Sequence, residues 1–189
     1  MEITYFNTRI DSFKLSLISF RLRKSIRLIF LVFVLAVYIF TFWGIFKSSK
    51  VNSIINLLSN ITVGIVTFYI FLKFMHLIQF LFIFFAAFAN NNKGFLCNHT
   101  IMLNDELIKE TTDFNTTETK IDSLYKIILT KNRIYIFLAP GMAHVIPQSN
   151  IIYGDYQEIL NRLLFLSESS GIKLKKMNEN LFVSYLLLF

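Results

Sequence analysis

Three side chains in the polar half of the chain could bind a metal ion or transfer a proton: Cys97, His99 and His144. Thiolate and imidazole groups are the ligands that zinc prefers in proteins. Cys97 and His99 stand two residues apart, on one face of a strand, but no second clustered pair follows them. His144 could join them only through folding. The sequence therefore favours a strand position for His99, and we predict no catalytic residue, no metal site and no cofactor.

Lys73 and His76 form a second candidate, because they interrupt a long apolar run. Ionisable groups inside a membrane are functional candidates by default. A proton path would need further ionisable residues, and the sequence has no acidic residue between Asp11 and Asp105. The pattern favours Lys73 as an anchor whose ammonium group reaches the lipid headgroups.

Composition and charge exclude several classes of protein. No G-x-S-x-G, H-E-x-x-H or phosphate-binding glycine loop occurs, and there are only six glycines. The single cysteine excludes an internal disulfide. The net charge is +7, but the positive charge is concentrated beside an apolar segment, whereas residues 94–170 have six basic and nine acidic side chains. We therefore expect neither an enzyme nor a nucleic-acid-binding protein.

The elements that position these residues begin with two apolar segments. Residues 28–46 contain no charge and are long enough to cross a hydrocarbon layer of about 30 Å as a helix. Residues 54–72 form a second segment of the same length, with a few small or weakly polar side chains that permit close helix packing. The two segments predict a transmembrane hairpin.

The charges that flank the hairpin predict its orientation. Six basic residues precede the first span and only Lys47 and Lys50 follow it, which places the N-terminus and the polar half in the cytoplasm. Six residues are predicted to anchor the protein in the membrane: Arg21, Arg23, Lys24, Arg27, Trp43 and Lys73.

Residues 8–27 predict an amphipathic helix, with apolar side chains at helical spacing. Two interpretations stay open. The helix would lie on an anionic leaflet, or it would be a lead-in helix that packs on the polar domain.

Residues 54–89 are too long for a single span, because a helix of that length would reach about 54 Å. Either the second helix continues past Lys73 as an apolar rod, or residues 74–89 turn back as a third crossing. The pattern favours the continuous helix, since no Gly or Pro offers a turn. An apolar rod in water needs a partner, and its candidate interaction surface is Phe80, Phe82, Phe84, Phe85 and Phe88.

From Phe95 onwards, short runs rich in Ile, Thr, Tyr and Phe predict antiparallel strands. Turns are predicted at Asn104–Asp105 and at Lys131–Asn132. Residues 155–167 predict a closing helix that begins near Asp155. The lysine-rich and then apolar tail, residues 171–189, predicts either a last strand or a surface anchor.

Three pieces of this half resemble the C-terminal domain of YcxB-like bacterial membrane proteins: "KGFLCNHTIMLNDELI", "IDSLYKI" and "IYIFLAPGMAHVIPQ". The resemblance extends from residue 1 to about residue 165. It implies two membrane helices followed by a small cytoplasmic β-domain similar to pleckstrin-homology barrels, and it implies no catalytic site. Residues 74–89 depart from the family, whose connector after the second span is basic and polar.

The sequence thus predicts an α+β membrane protein with a two-helix transmembrane hairpin, an antiparallel PH-like β-domain and a C-terminal helix. Its predicted segments are a leader at 1–27, the hairpin at 28–93, the β-domain at 94–170 and the tail at 171–189.

We expect a non-enzymatic protein of the bacterial inner membrane whose cytoplasmic domain binds a protein partner or a second copy of the chain, with membrane lipids around the hairpin. One alternative is an immunity protein that protects the producing cell from a cognate toxin. Another is a subunit of an oligomeric transporter or channel.

Overall fold

The computed structural model describes residues 1–48, 54–89 and 93–177 and has an α+β fold. Residues 49–53 in the predicted connection between the two spans, the three asparagines at 90–92 and the apolar end of the tail lie outside the described residues. Within the described ranges, the chain forms two compact units. One combines Met1–Arg23 with the chain from Ile83 onwards, and the other comprises residues 24–82.

The described part of the chain contains nine strands and four α-helices. The helices are α1 Arg9–Leu22, α2 Lys24–Ser48, α3 Ile54–Ala89 and α4 Tyr156–Ser169. The strands are β1 Glu2–Phe6, β2 Asn98–Leu103, β3 Leu107–Thr112, β4 Thr116–Lys120, β5 Lys126–Leu129, β6 Arg133–Ala139, β7 Met142–Pro147, β8 Ile151–Tyr153 and β9 Leu174–Lys176.

The strands form two sheets, one in the order β4-β3-β2-β1-β8 and the other in the order β7-β6-β5-β9. Every pair is antiparallel except β5 with β9, which is parallel. The predicted hairpin turns are confirmed. Asn104 joins β2 to β3 and accepts a hydrogen bond of 2.6 Å from the Leu107 amide, while Lys131 and Asn132 join β5 to β6. β9 confirms the strand interpretation for the first part of the tail.

Strand β1 precedes both long helices, yet it is an inner strand of the five-stranded sheet. It pairs with β2 from Glu2 opposite Met102 to Phe6 opposite Asn98. The hydroxyl groups of Thr4 and Thr100 add a hydrogen bond of 3.0 Å across this pair. The sequence predicted only an amphipathic leader at residues 1–27, whereas the structure has a strand and a helix in this segment. Helices α1, α2 and α3 are therefore inserted between two neighbouring strands of one domain.

The main core lies between the two sheets and is closed by α4. It contains the inward side chains of β1, β2, β3, β5, β6 and β7, mostly isoleucines, and Ile159, Leu163 and Leu166 of α4 complete it. Asp155 caps α4 by accepting a hydrogen bond of 2.7 Å from the Gln157 amide, so the predicted start of this helix is confirmed.

Helix α1 covers the outer face of the four-stranded sheet. Ile18 is buried against Tyr135, Phe137 and Val145. Asp11 is fully buried and forms an ion pair of 2.6 Å with Arg133 at the start of β6. Of the two interpretations of the amphipathic helix, the structure has the one in which the helix packs on the polar domain.

In the second unit, α2 and α3 pack against each other in antiparallel directions. The Tyr38 hydroxyl donates to the Gly64 carbonyl and lies 2.9 Å from the Thr67 hydroxyl, and the Phe30 ring contacts the His76 ring edge-on at 5.4 Å. α3 is one continuous helix of 36 residues, which confirms the predicted extension past Lys73.

One described helix is long and apolar enough to cross a membrane, with its apolar stretch at Thr62–Phe88. In α2 the described apolar stretch is shorter, Leu28–Ile39, because most side chains of the predicted first span after Ile39 are outside the described part. These lengths and compositions are compatible with a membrane location.

Candidate binding site between the two sheets

A cluster of buried polar side chains lies at one end of the core. Tyr5, His99, Glu110 and His144 come from β1, β2, β3 and β7 respectively. Successive side chains of a strand alternate between faces, so a residue two positions from a core isoleucine points the same way. Two positions from these four residues along each strand, the core contains Ile3, Ile101, Ile108 and Ile146 respectively. The four polar side chains therefore point to the same side of their strands as the core.

Glu110 is the centre of the cluster. Its Oε1 lies 3.0 Å from His99 Nδ1, and its Oε2 lies 2.8 Å from His144 Nδ1. The Tyr5 hydroxyl donates a longer bond of 3.5 Å to Oε1, and the Tyr5 ring stacks on the His99 ring with centroids 5.4 Å apart. One carboxylate therefore joins three strands of one sheet to a strand of the other.

The hydrogen bonds fix the orientation of both imidazole rings. His99 Nε2 lies 3.0 Å from the carbonyl oxygen of Phe95, and His99 Nδ1 faces Glu110. His144 Nδ1 faces the second oxygen of Glu110. One carboxylate therefore holds both rings in place.

The pKa of Glu110 reflects two opposing effects. Burial raises it, but the hydrogen bonds and charges of His144 and His99 outweigh burial and lower the pKa from 4.5 to about 2. Glu110 is therefore a carboxylate at neutral pH. Burial, and next the charge of Glu110, raise the pKa of Tyr5 well above 10, so Tyr5 acts only as a donor here.

The cluster forms one wall of a cavity of about 280 Å³, which opens to the surface between the two sheets. Two buried polar atoms in its lining residues have no hydrogen-bond partner: Nε2 of His144 and Oδ1 of Asn7. His144 is 6% exposed and Asn7 is 1% exposed. Buried polar atoms are almost always paired, so these two atoms single out this end of the core as a candidate site.

Cys97 is adjacent to this cavity but is not among its lining residues. Its Sγ lies 3.7 Å from His99 Nε2, which superficially resembles the order of nucleophile, base and carboxylate in a cysteine hydrolase. The thiol is buried and donates to the Gly94 carbonyl at 3.5 Å. Burial raises the pKa of the Cys97 thiol and outweighs the hydrogen bond from the Asp113 backbone, which lowers it, so the thiol is not activated as a nucleophile.

The sequence had raised Cys97, His99 and His144 as a weak metal set and had favoured a strand position for His99. In the structure, His99 is buried and His144 is joined to it through Glu110. Within the described ranges, no group of three His, Cys, Asp or Glu side chains is arranged to hold a metal ion. The sequence analysis missed Tyr5, Asn7 and Glu110. The sequence signal that could have identified Tyr5 and Glu110 is that each lies two positions from a core isoleucine, Ile3 and Ile108 respectively.

The predicted membrane anchors have varied surroundings. Arg23 donates from Nε to the Pro140 carbonyl at 2.9 Å, and its guanidinium occupies the space that a Cβ at Gly141 would need. Lys73 Nζ lies 5.3 Å above the ring of Tyr69. Arg21 is half-buried, Lys24 is exposed and Trp43 is 69% exposed, while the side chain of Arg27 lies outside the described part. Their anchoring roles stay predictions.

The predicted interaction surface divides into covered and exposed side chains. Phe84 and Phe88 stack on each other and contact Phe13 of α1, with ring centroids 5.5 and 6.5 Å from that of Phe13. Phe80 is half-buried, Phe82 is 74% exposed and Phe85 is 63% exposed. α1 thus covers part of the apolar rod, whereas Phe82 and Phe85 are exposed.

Comparisons with protein-family models, with curated proteins and with solved structures gave no match to this chain. The function therefore has to be argued from the fold and from the cavity.

Proposed function

We propose that this chain is a non-enzymatic protein of the bacterial inner membrane, in which the α2–α3 hairpin anchors a cytoplasmic domain that binds another protein. The observation that carries the proposal is the pairing of β1 with β2.

The strand pairing restricts the topology. Hydrogen-bonded strands of one sheet lie on the same side of a bilayer, because irregular and open-edged structure is not tolerated in the hydrocarbon region. The chain leaves this domain after β1 and α1 and returns to it before β2, so the segment between them crosses the membrane an even number of times. A hairpin of α2 and α3 gives two crossings, and the excess of basic residues before α2 supports a cytoplasmic domain.

The absence of an activated nucleophile at Cys97 supports a binding role over an enzymatic one. The exposed apolar side chain of Phe85, at the end of α3 that belongs to the same unit as the sheets, supports contact with a protein or with lipid.

The topology can be tested by cysteine labelling in inverted and right-side-out membrane vesicles. Cys97→Ser provides the background. Glu2→Cys in β1 and Thr116→Cys in β4 then introduce thiols at two exposed positions of the domain. Lys50→Cys introduces one in the predicted loop. A membrane-impermeant maleimide should label the first two only from the cytoplasmic side and the third only from the other side. Labelling of Glu2→Cys and Thr116→Cys from opposite sides would disprove the hairpin.

Partner binding can be tested with a photocrosslinking residue at position 85, with the exposed Ile152 of β8 as the matched control. Crosslinks to a defined protein or to a second copy at 85 but not at 152 would support the proposal. Crosslinks at 85 to lipid alone would refute the interaction surface. The immunity alternative requires a different result, namely that deletion of the gene makes the cell sensitive to a toxin encoded beside it.

A further inference from the structure

Three lysines lie close together at one end of the four-stranded sheet. Lys126 is the first residue of β5, and Lys173 directly precedes β9, which pairs with β5 in parallel. Burial lowers the pKa of Lys126, and the charges of Lys175 and Lys173 lower it further. Within the described ranges, none of these three ammonium groups forms an ion pair. Neighbouring cations without a counter-charge favour an anionic partner.

The strand register places this lysine cluster on the outer face of the sheet, which is the face that α1 covers. Lys175 lies opposite Ile128, and the two partners of a parallel pair point to the same side. Ile128 is buried against Ile18 of α1. Lys126 lies two positions before Ile128 and therefore shares its face. Lys173 and Lys175 are exposed, and Lys126 is half-buried.

The same end of the sheet is attached to the start of α2. Lys126 pairs with Phe137 near the end of β6, and the turn to β7 follows at Pro140. The Arg23 side chain donates from Nε to the Pro140 carbonyl at 2.9 Å, and α2 begins at the next residue, Lys24. In the proposed hairpin, the chain therefore enters the membrane from the end of the sheet that bears the lysine cluster.

We propose that this end of the four-stranded sheet lies on the anionic inner leaflet, where Lys126, Lys173 and Lys175 bind the phosphate groups of anionic phospholipids. The proposal rests on the membrane hairpin of the proposed function and adds which end of the domain faces the lipid. Met142 and Tyr125, at the same end of the sheet, are 62% and 44% exposed. They supply apolar and aromatic surface of the kind that suits the headgroup region.

The full-length protein in lipid nanodiscs provides the test. In the Cys97→Ser background, Met142→Cys carries a fluorophore at the proposed contact, and Ser149→Cys carries it beyond the other end of β7. A phosphatidylcholine with a spin-labelled headgroup is the quencher. The fluorophore at 142 should be quenched more strongly in mixed phosphatidylcholine and phosphatidylglycerol discs than in phosphatidylcholine discs, and the one at 149 weakly in both. Equal quenching at 142 in both kinds of disc would overturn the proposal.

A triple variant tests whether the lysine cluster is responsible, namely Lys126→Gln, Lys173→Gln and Lys175→Gln in one chain. A lysine near an anionic surface changes the binding equilibrium about fivefold, so the joint loss should lower the ratio of headgroup-bound to free domain about 100-fold. The matched control removes the same charge elsewhere in the domain, by Lys109→Gln, Lys120→Gln and Lys131→Gln. Equal loss of quenching at 142 in both triple variants would refute the assignment to the cluster.

The anchor is followed separately through Trp43 of α2, the only tryptophan of the chain. Trp43 quenched by lipids brominated in their acyl chains, without phosphatidylglycerol-dependent quenching at 142, would keep the hairpin and overturn the lipid contact. An unquenched Trp43 would refute the hairpin itself.

A soluble phosphate is the other source of the same ligand chemistry. Sodium phosphate and sodium chloride at equal ionic strength should reduce the quenching at 142 equally, because both only screen the charges. A larger effect of phosphate would assign the lysine cluster to a soluble phosphate and overturn the lipid assignment.

Discussion

Glu110→Gln tests whether the polar cluster joins the two sheets. The carboxylate accepts from His99 and His144 through its two oxygens, at 3.0 and 2.8 Å. A glutamine keeps one acceptor oxygen and places an N–H group against the other imidazole. At least one charge-assisted bond is lost, and such bonds contribute about 1.5–3 kcal/mol each. We therefore expect the free energy of unfolding of the domain to fall by about 2 kcal/mol, about a 30-fold change in the opening equilibrium.

Cys97 provides the assay, because it is the only cysteine of the chain and its thiol is buried beside the cluster. Its labelling by a maleimide at fixed pH in detergent micelles reports how often the domain opens. Glu110→Gln should accelerate labelling about 30-fold, the factor that corresponds to about 2 kcal/mol.

Glu118→Gln on β4 is the matched control. Glu118 pairs with Lys109 at 2.9 Å, but both side chains are largely exposed, and such surface pairs contribute about 0–1 kcal/mol. Equal labelling rates for wild type and both variants would show that the cluster contributes nothing to the contact between the sheets.

Three further predictions concern the same domain. Because the pKa of Glu110 is lowered from 4.5 to about 2, the stability that it contributes is present above pH 4.5 and is lost as the pH falls towards 2. The difference in urea midpoint between wild type and Glu110→Gln should vanish over that range, and a constant difference would contradict the prediction. Asp11→Asn removes the buried carboxylate that lies 2.6 Å from Arg133, and by Cys97 labelling it should destabilise the domain clearly more than Asp122→Asn at an exposed position. Gly154 has φ +92, and a Cβ there would lie 2.5 Å from the Glu2 carbonyl oxygen. Gly154→Ala should therefore speed amide exchange in β1 and β8. Gly171→Ala is the milder comparison, because its Cβ would meet no atom within 4 Å.

The elements that the sequence predicted well are those with local signals. The hairpin turns at Asn104 and Lys131 have their turn chemistry in adjacent residues, and α4 begins at a capping aspartate. The continuity of α3 followed from the absence of any helix-breaking residue, which is also a local property.

Strand β1 was missed because its partner is distant. Glu2–Phe6 alternates Ile3 and Tyr5 with exposed residues, but five residues before a helix are too few to distinguish a strand from a leader. The Thr4–Thr100 hydrogen bond spans 96 residues of sequence, and no local pattern indicates such a pairing.

The candidate site was missed for the same reason. His99 and His144 were recognised as chemically capable, but Glu110 stands among other charged residues of the polar half and has no distinguishing neighbour. Its role depends on its lying on the inward face two positions from Ile108, while Lys109 between them points outwards to Glu118. Glu110 therefore differs from the other glutamates by its position on the inward face of β3, which depends on the strand register and not on its residue type.

The β-domain contains chain from both sides of the α2–α3 segment, because β1 and α1 precede this segment and β2 follows it. A fragment of residues 94–170, the predicted β-domain, would lack β1, so β2 and β8 would lose the strand that lies between them. It would also lack α1, which covers Tyr135, Phe137 and Val145 through Ile18. The fragment would have no Asn7 to complete the cavity. The cavity therefore exists only when the segment before α2 has paired with the segment after α3.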